Sequence, residues 1–68
     1  HMETVAVYLV KREDIEGIRF LEQKKLWSEA ALQTGMDVAA EEKKTESLSV
    51  LMDVRKELFP KKKKTFEL

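Results

Sequence analysis

Residues Thr4 to Val10 read TVAVYLV, and the predicted fold is built outward from this stretch. It consists almost entirely of β-branched, aromatic and aliphatic residues, which favours a β-strand. Alternation along a strand would give an aliphatic core face of Val5, Val7 and Leu9 and a mixed outer face of Thr4, Ala6, Tyr8 and Val10. No second strand is predicted elsewhere in the chain. Because a lone strand leaves its backbone N–H and C=O groups unpaired, we expect it to pair with a second chain or a partner protein.

The composition also points towards association between chains. A chain of 68 residues forms at most one small domain, whose core contributes only ~3–5 kcal/mol of net stability. The sequence has no cysteine, so no disulfide can add to that. His1 is the single histidine, and His1-Met2 is typical of a cloning remnant. We therefore expect no metal site and expect oligomerisation to stabilise the fold.

Charge is balanced over the chain but unevenly distributed. Thirteen Lys and Arg residues match thirteen Asp and Glu residues, and four of the cations form the run Lys61 to Lys64. No apolar run approaches the ~20 residues of a membrane span, and the N-terminus lacks a basic-then-apolar secretion pattern. We expect a soluble, cytoplasmic (intracellular) protein with no membrane partner.

A first amphipathic helix is predicted from Glu13 to about Leu26, because Ile15, Ile18, Leu21 and Leu26 fall within one arc of a helical wheel. Asp14 or Glu13 could cap its first turn. Phe20 and Trp27 lie together on another side, where a second chain could cover them. Gly17 inside this helix suggests close approach to a neighbour.

Two further helices follow. Ser28 with Glu29 is a good helix start, and the stripe after it is Leu32, Gly35, Met36 and Ala39. Thr45 or Ser47 could cap a third helix ending at Phe59, because Pro60 disfavours the α conformation of its predecessor. Its stripe is Leu48, Leu51, Met52, Arg55, Leu58 and Phe59. In one unbroken helix the two stripes would lie ~160° apart, so either the helix breaks near Lys44 or one long helix buries opposite faces. A break fits a small globule better.

No constellation of catalytic side chains is present. Ser28, Ser47 and Ser49 have no cysteine or native histidine to work with, and Gly17 and Gly35 are isolated rather than part of a phosphate loop. We expect no enzymatic activity and no cofactor.

The segments VAVYLV, EDIEGIRFLEQKK and LWSEAALQTGMDVAAE, in this order, resemble the ribbon-helix-helix family of DNA-binding regulators over about residues 3 to 42. In that family two chains pair their N-terminal strands into an antiparallel ribbon that enters the major groove, and four helices interlock as the dimer core. The resemblance implies that Thr4, Ala6 and Tyr8 face the bases. It also implies that the backbone from Trp27 to Glu29 lies beside a phosphate.

The sequence therefore predicts a mainly α fold with one N-terminal strand, arranged as a ribbon-helix-helix-like intertwined homodimer. Residues 3–59 would form a single domain, with residues 45–59 as an additional C-terminal helix and residues 60–68 as a basic tail. The predicted dimer core comprises Val5, Val7, Leu9, Ile15, Ile18, Leu21, Leu32 and Met36.

The predicted function is a homodimeric, sequence-specific transcription regulator, such as a repressor, bound to double-stranded DNA. Thr4 and Tyr8 would contact bases, and phosphates would be held by Lys11, Arg12, Ser28, Lys61, Lys62, Lys63 and Lys64. The alternative is a small protein-interaction module, an inhibitor or adaptor, that uses the dimer surface or adds its strand to a partner's sheet. A protein partner could also bind through the C-terminal helix.

Overall fold

Four α-helices and no β-strand make up residues 1–60, which are the part of the chain that the computed structural model describes. The helices are α1 (Met2–Arg12), α2 (Ile15–Gln23), α3 (Glu29–Glu41) and α4 (Thr45–Leu58). Helix α3 packs against α1 and α4, and α2 packs against the same two helices. The four helices thus close into a ring in the spatial order α1, α3, α4, α2.

The predicted strand from Thr4 to Val10 is wrong, because this stretch lies inside helix α1. Ala6, Leu9 and Val10 are the buried residues of α1. Two adjacent buried residues, Leu9 and Val10, suit a helix packed on a neighbour but not a strand with only one buried face. Packing of this face has outweighed the β-propensity of the valines, as tertiary context often does.

The ribbon-helix-helix architecture is wrong for the same reason, since a helical N-terminus offers no strand for a ribbon. Ala6, expected to face bases beside Thr4 and Tyr8, is fully buried, whereas Thr4 and Tyr8 are exposed. Of the expected core face, Leu9 is buried, Val7 is half-buried and Val5 is exposed. The unpaired backbone that required a second chain is also gone, because a helix satisfies its interior backbone groups internally.

The other helices begin and end close to their predicted positions. Asp14 caps α2, accepting a 3.0 Å hydrogen bond from the Gly17 backbone N–H, and Ser28 caps α3, accepting at 3.1 Å from Ala31. Both caps are confirmed, although α2 ends at Gln23 rather than near Leu26. The predicted break near Lys44 is confirmed as well, because α3 ends at Glu41 and α4 begins at Thr45.

Three helix ends share one turn geometry. Glu13, Lys25 and Lys43 follow α1, α2 and α3 with φ of 50°, 56° and 59°, in the left-handed region. After α1, Glu13 N–H donates to the Val10 carbonyl and Asp14 N–H to the Leu9 carbonyl, both at 2.9 Å. The same pair of hydrogen bonds closes the other two turns, which makes each a Schellman motif. Glycine usually occupies this position, but here all three residues are charged.

The core is formed within a single chain. Its fully buried large side chains come from all four helices: Val10, Ile18, Leu32, Leu51 and Val54. Several predicted dimer-core residues lie in or beside it: Leu9, Ile18 and Leu32 are buried, and Ile15, Leu21 and Met36 are half-buried.

Trp27 and Phe20 were predicted to share one side of a helix, but they lie in different environments. Trp27 is 4% exposed, and its Nε1–H donates a 3.1 Å hydrogen bond to the Ile18 carbonyl. Phe20 is 54% exposed and Leu26, predicted to face the core, is equally exposed. The reason is that α2 ends before Leu26, so the connection to α3 turns Trp27 inward.

Both glycines stand where helices approach closely. A Cβ at Gly17 would lie 2.8 Å from Asp14 Oδ2 and 3.0 Å from Leu9 Cδ2. A Cβ at Gly35 would lie 3.1 Å from Leu51 Cδ1 and 3.6 Å from the Ala6 Cβ, where α1, α3 and α4 meet. The close approach expected at Gly17 is therefore confirmed, and the neighbour is its own capping residue together with α1.

Candidate functional site

A half-open groove of about 530 Å³ runs between α3 and the C-terminal half of α4. Its lining is mostly apolar and includes two cations: Met36, Met52, Arg55, Lys56, Phe59 and Pro60. Met52 is 55% exposed, so its side chain is available to a partner. Volumes of this order are typical of ligand pockets, but such pockets bury most of a small molecule, and this one is open along its length.

The spacing of residues along α4 explains the groove. Val50, Leu51 and Val54 face the core. On a helix at ~100° per residue, Met52 and Phe59 form an outward line, and Arg55 and Lys56 lie on its two sides at about 60° and 40° from Met52. The sequence therefore places an apolar line with a cation on each flank outside the buried face of α4, and Phe59 at its end is half-buried against the core.

A second hollow of about 320 Å³ continues the groove towards the start of α4. It is lined by Thr45, Leu48, Ser49, Met52, Asp53 and Lys56. Met52 and Lys56 line both hollows. Together they extend from Thr45 to Phe59, which corresponds to ~21 Å of helix.

The groove is basic although the described part of the chain is mildly acidic. Residues 1–60 hold nine Lys and Arg against twelve Asp and Glu. Within that range neither Arg55 nor Lys56 forms an ion pair. Asp53, the acid that lines the second hollow, lies 3.7 Å from the Arg19 guanidinium, which partly neutralises it. Arg55 and Lys56 thus bring positive charge to the groove without a close ion-pair partner among residues 1–60.

The groove and the second hollow place a few polar groups along an apolar lining. Their polar lining consists of Arg55, Lys56, Thr45, Ser49 and Asp53, and residues 1–60 contain no cluster of three His, Cys, Asp or Glu side chains that could hold a metal. No helix within the described range is long and apolar enough to cross a bilayer. An apolar line with flanking charges is typical of surfaces that recognise an amphipathic segment.

The residues predicted to contact nucleic acid do not form one site. Thr4, Tyr8, Lys11 and Arg12 share the outward face of α1. Lys11 Nζ lies 3.5 Å from the Glu42 carboxylate, and the Arg12 guanidinium lies 5.2 Å from the centre of the Tyr8 ring.

At the predicted phosphate site, the start of α3, the groups expected to hold a phosphate are buried or already bonded within the chain. Trp27 is buried, and the Ser28 hydroxyl accepts the Ala31 N–H as an ordinary cap. Glu29 adds a negative charge in the first turn of α3, which would repel a phosphate. Lys61, Lys62, Lys63 and Lys64 lie outside the described residues.

Most of the groove residues belong to one stripe that the sequence predicted on the third helix, without indicating which of its members face the core. Leu48, Met52, Arg55 and Phe59 belonged to the predicted stripe of the third helix, together with Leu51 and Leu58. The structure divides that stripe: Leu51 faces the core, and Met52 faces the groove. Arg55 inside an apolar stripe was the signal that this face is not covered within the chain.

No protein-family model, curated protein or solved structure matches this chain. The groove and the charges around it are therefore the features of the molecule that bear on its function.

Proposed function

We propose that this protein is a non-enzymatic protein-interaction module that binds a helical segment of a partner protein in the groove between α3 and α4. The observation that carries the proposal is the apolar line of Met52, which is exposed, and Phe59, which is half-buried; the line shares the lining of the groove with Met36 of α3. Helix-in-groove recognition uses such lines, with partner side chains at i, i+3 or i+4, and i+7.

The methionines suit this role. Met36 on α3 and Met52 on α4 are flexible and polarizable, so they can adapt to the side chains of a partner. The two hollows together match a partner helix of about 14 residues, since that length spans ~21 Å. A partner on the C-terminal helix was one of the expectations from sequence, and the groove supports that expectation.

The test is site-specific photo-crosslinking in cells that produce the protein. A photoreactive amino acid replaces Met52 in one variant and Phe20 in the other. The two positions are matched, with side chains 55% and 54% exposed, but only Met52 lines the groove. We expect a discrete crosslinked partner from position 52 and none from position 20. Equal crosslinking from both positions, or none from position 52, would contradict the proposal.

Binding of duplex DNA through the outward face of α1 is the second candidate. It is supported by the presence of Tyr8, Lys11 and Arg12 on one exposed face. The balance of thirteen cations and thirteen anions over the whole chain argues against it, because no net charge attracts the protein to DNA. Titration of a random duplex at increasing salt is the test, because phosphate contacts make affinity fall steeply with salt. Absence of binding at low salt would exclude this candidate.

A further inference from the structure

The charged side chains beside the groove indicate which charges a partner would carry. Arg55 and Lys56 lie in the last turn of α4, on opposite sides of the line formed by Met52 and Phe59. The hollow at the Thr45 end shares Lys56 with the groove and adds an acid, Asp53, which lies beside Arg19. Positive charge is therefore concentrated at the Phe59 end.

We propose that the occupant is an amphipathic helix that carries acidic residues on both flanks of its apolar stripe, over the end of the groove at Phe59. This inference rests on the proposed function and adds the chemistry of the partner. Apolar side chains would pack on Met36, Met52 and Phe59. Carboxylates on the two flanks would meet Arg55 and Lys56, which have no ion-pair partner within residues 1–60.

Charge complementarity favours this occupant over a second copy. Among the described residues, α4 of a second copy would bring another Arg55 and Lys56 towards the same groove if the two helices packed in parallel. In an antiparallel pair the cations would face the Thr45 end, whose one lining acid, Asp53, already lies 3.7 Å from the Arg19 guanidinium. Neither arrangement places a carboxylate opposite both cations.

The probe is a synthetic amphipathic helix of about 16 residues, with leucines on one face and glutamates on both flanks at one end. A counterpart has glutamine in place of each glutamate, and a third peptide has lysine there. Binding to the full chain is measured by fluorescence anisotropy at about 50 and 500 mM salt.

We expect the glutamate peptide to bind about fivefold more tightly than the glutamine peptide at low salt, with the difference shrinking at high salt. The double variant Arg55→Glu, Lys56→Glu should reverse the preference and bind the lysine peptide best. The matched control, Lys24→Glu with Lys25→Glu, makes the same change in net charge outside the groove and should keep the preference for glutamate.

Circular dichroism checks that each variant remains folded, because acids in the last turn of α4 oppose the helix dipole. Should the double reversal unfold, Arg55→Gln with Lys56→Gln should remove the preference for glutamate without reversing it.

The outcomes separate the inference from the proposed function. The glutamate and glutamine peptides could bind with equal affinity, and both could lose binding in Met52→Asn but keep it in Phe20→Asn. That result would overturn the acidic partner and leave the groove as a binding site. No binding of any peptide, or binding unaffected by Met52→Asn, would overturn both.

Two further outcomes would assign the groove to this chain itself. A solution mass that doubles with concentration in the wild type but not in Met52→Asn would indicate a second copy in the groove. Shifts of the Met36 and Met52 methyl resonances on replacing Phe66, without any peptide, would indicate residues 61–68. Either result would overturn the acidic partner.

Discussion

Ser47 is the one side chain within residues 1–60 whose polar atom is buried without a hydrogen-bond partner. It lies in the first turn of α4 at 0% exposure, and its hydroxyl was desolvated on folding without compensation. The sequence suggested Ser47 as a possible cap, but α4 begins two residues earlier, at Thr45. The position therefore costs stability.

Replacing Ser47 with alanine should stabilise the fold by about 1–2 kcal/mol, because the change removes an unsatisfied hydroxyl and raises helix propensity. Ser49→Ala is the matched control: Ser49 is exposed in the same helix, so only the propensity gain of about 0.5 kcal/mol applies. Urea unfolding measures both. A loss of stability in Ser47→Ala would show that the hydroxyl does have a partner.

Lys43→Gly should also stabilise the protein, by about 0.5–1 kcal/mol, because a φ of 59° strains a lysine but not a glycine. Ala40→Gly serves as the contrast. Ala40 is exposed within α3, where glycine should cost about 1 kcal/mol. Opposite shifts of the two urea midpoints are expected, and shifts in the same direction would contradict the left-handed turn.

At the scale of whole elements, the largest difference between sequence and structure is α1. Both periods were present in METVAVYLVKR: period two in Val5, Val7 and Leu9, and the helical period in Met2, Ala6, Leu9 and Val10. The valines favoured the strand, and the resemblance to the ribbon-helix-helix family depended on that strand. The helix is favoured by the surface that α3 offers to α1, where Gly35 leaves room for Ala6. A local sequence pattern does not contain information about that surface.

Residues 6 and 8 distinguish a helix from a strand in the same stretch. They share a face in a strand but lie ~160° apart in a helix. We expect Ala6→Gln to destabilise the protein by about 3 kcal/mol or more, because Ala6 is fully buried between α1 and α3. Tyr8→Gln should cost under 1 kcal/mol, since Tyr8 is exposed. Similar small effects of both changes on thermal unfolding would support the strand instead.

Helix starts were easier to predict than helix ends. Asp14 and Ser28 carry the side-chain oxygen that a cap requires, so the sequence identified them directly. The ends at Glu13, Lys25 and Lys43 use backbone hydrogen bonds around charged residues, and without a glycine nothing in the sequence marks them. This is why α2 was predicted to run on to about Leu26, beyond its end at Gln23.

For the whole molecule, the main consequence is that one chain closes its own core. Association was expected because an unpaired strand needed a partner, and that strand is absent from residues 1–60. We expect the thermal midpoint to change by no more than about 1 °C between about 10 and 500 µM protein, because folding that does not require a second chain is independent of concentration. A midpoint that rises steadily with concentration would indicate an obligate oligomer.

The candidate site was only partly predictable at this scale. The stripe on the third helix and the break near Lys44 both came from spacing, and a partner on that helix was expected. Which half of the stripe faces the core depends on α2 and α3 packing on either side of α4, as the contact between Arg19 and Asp53 illustrates. Such contacts between distant residues are not encoded in local spacing.

The burial of Trp27 gives the chain an intrinsic optical reporter. It is the single tryptophan, it is 4% exposed, and its indole N–H is bonded to the Ile18 carbonyl. Ultraviolet emission excited at the indole therefore comes from one site, the connection between α2 and α3, and should move to longer wavelength when that connection opens to water. Because Trp27 does not line the groove, a ligand seated there should leave the emission colour unchanged, so loosening of the fold and occupancy of the groove can be read separately in one unlabelled sample.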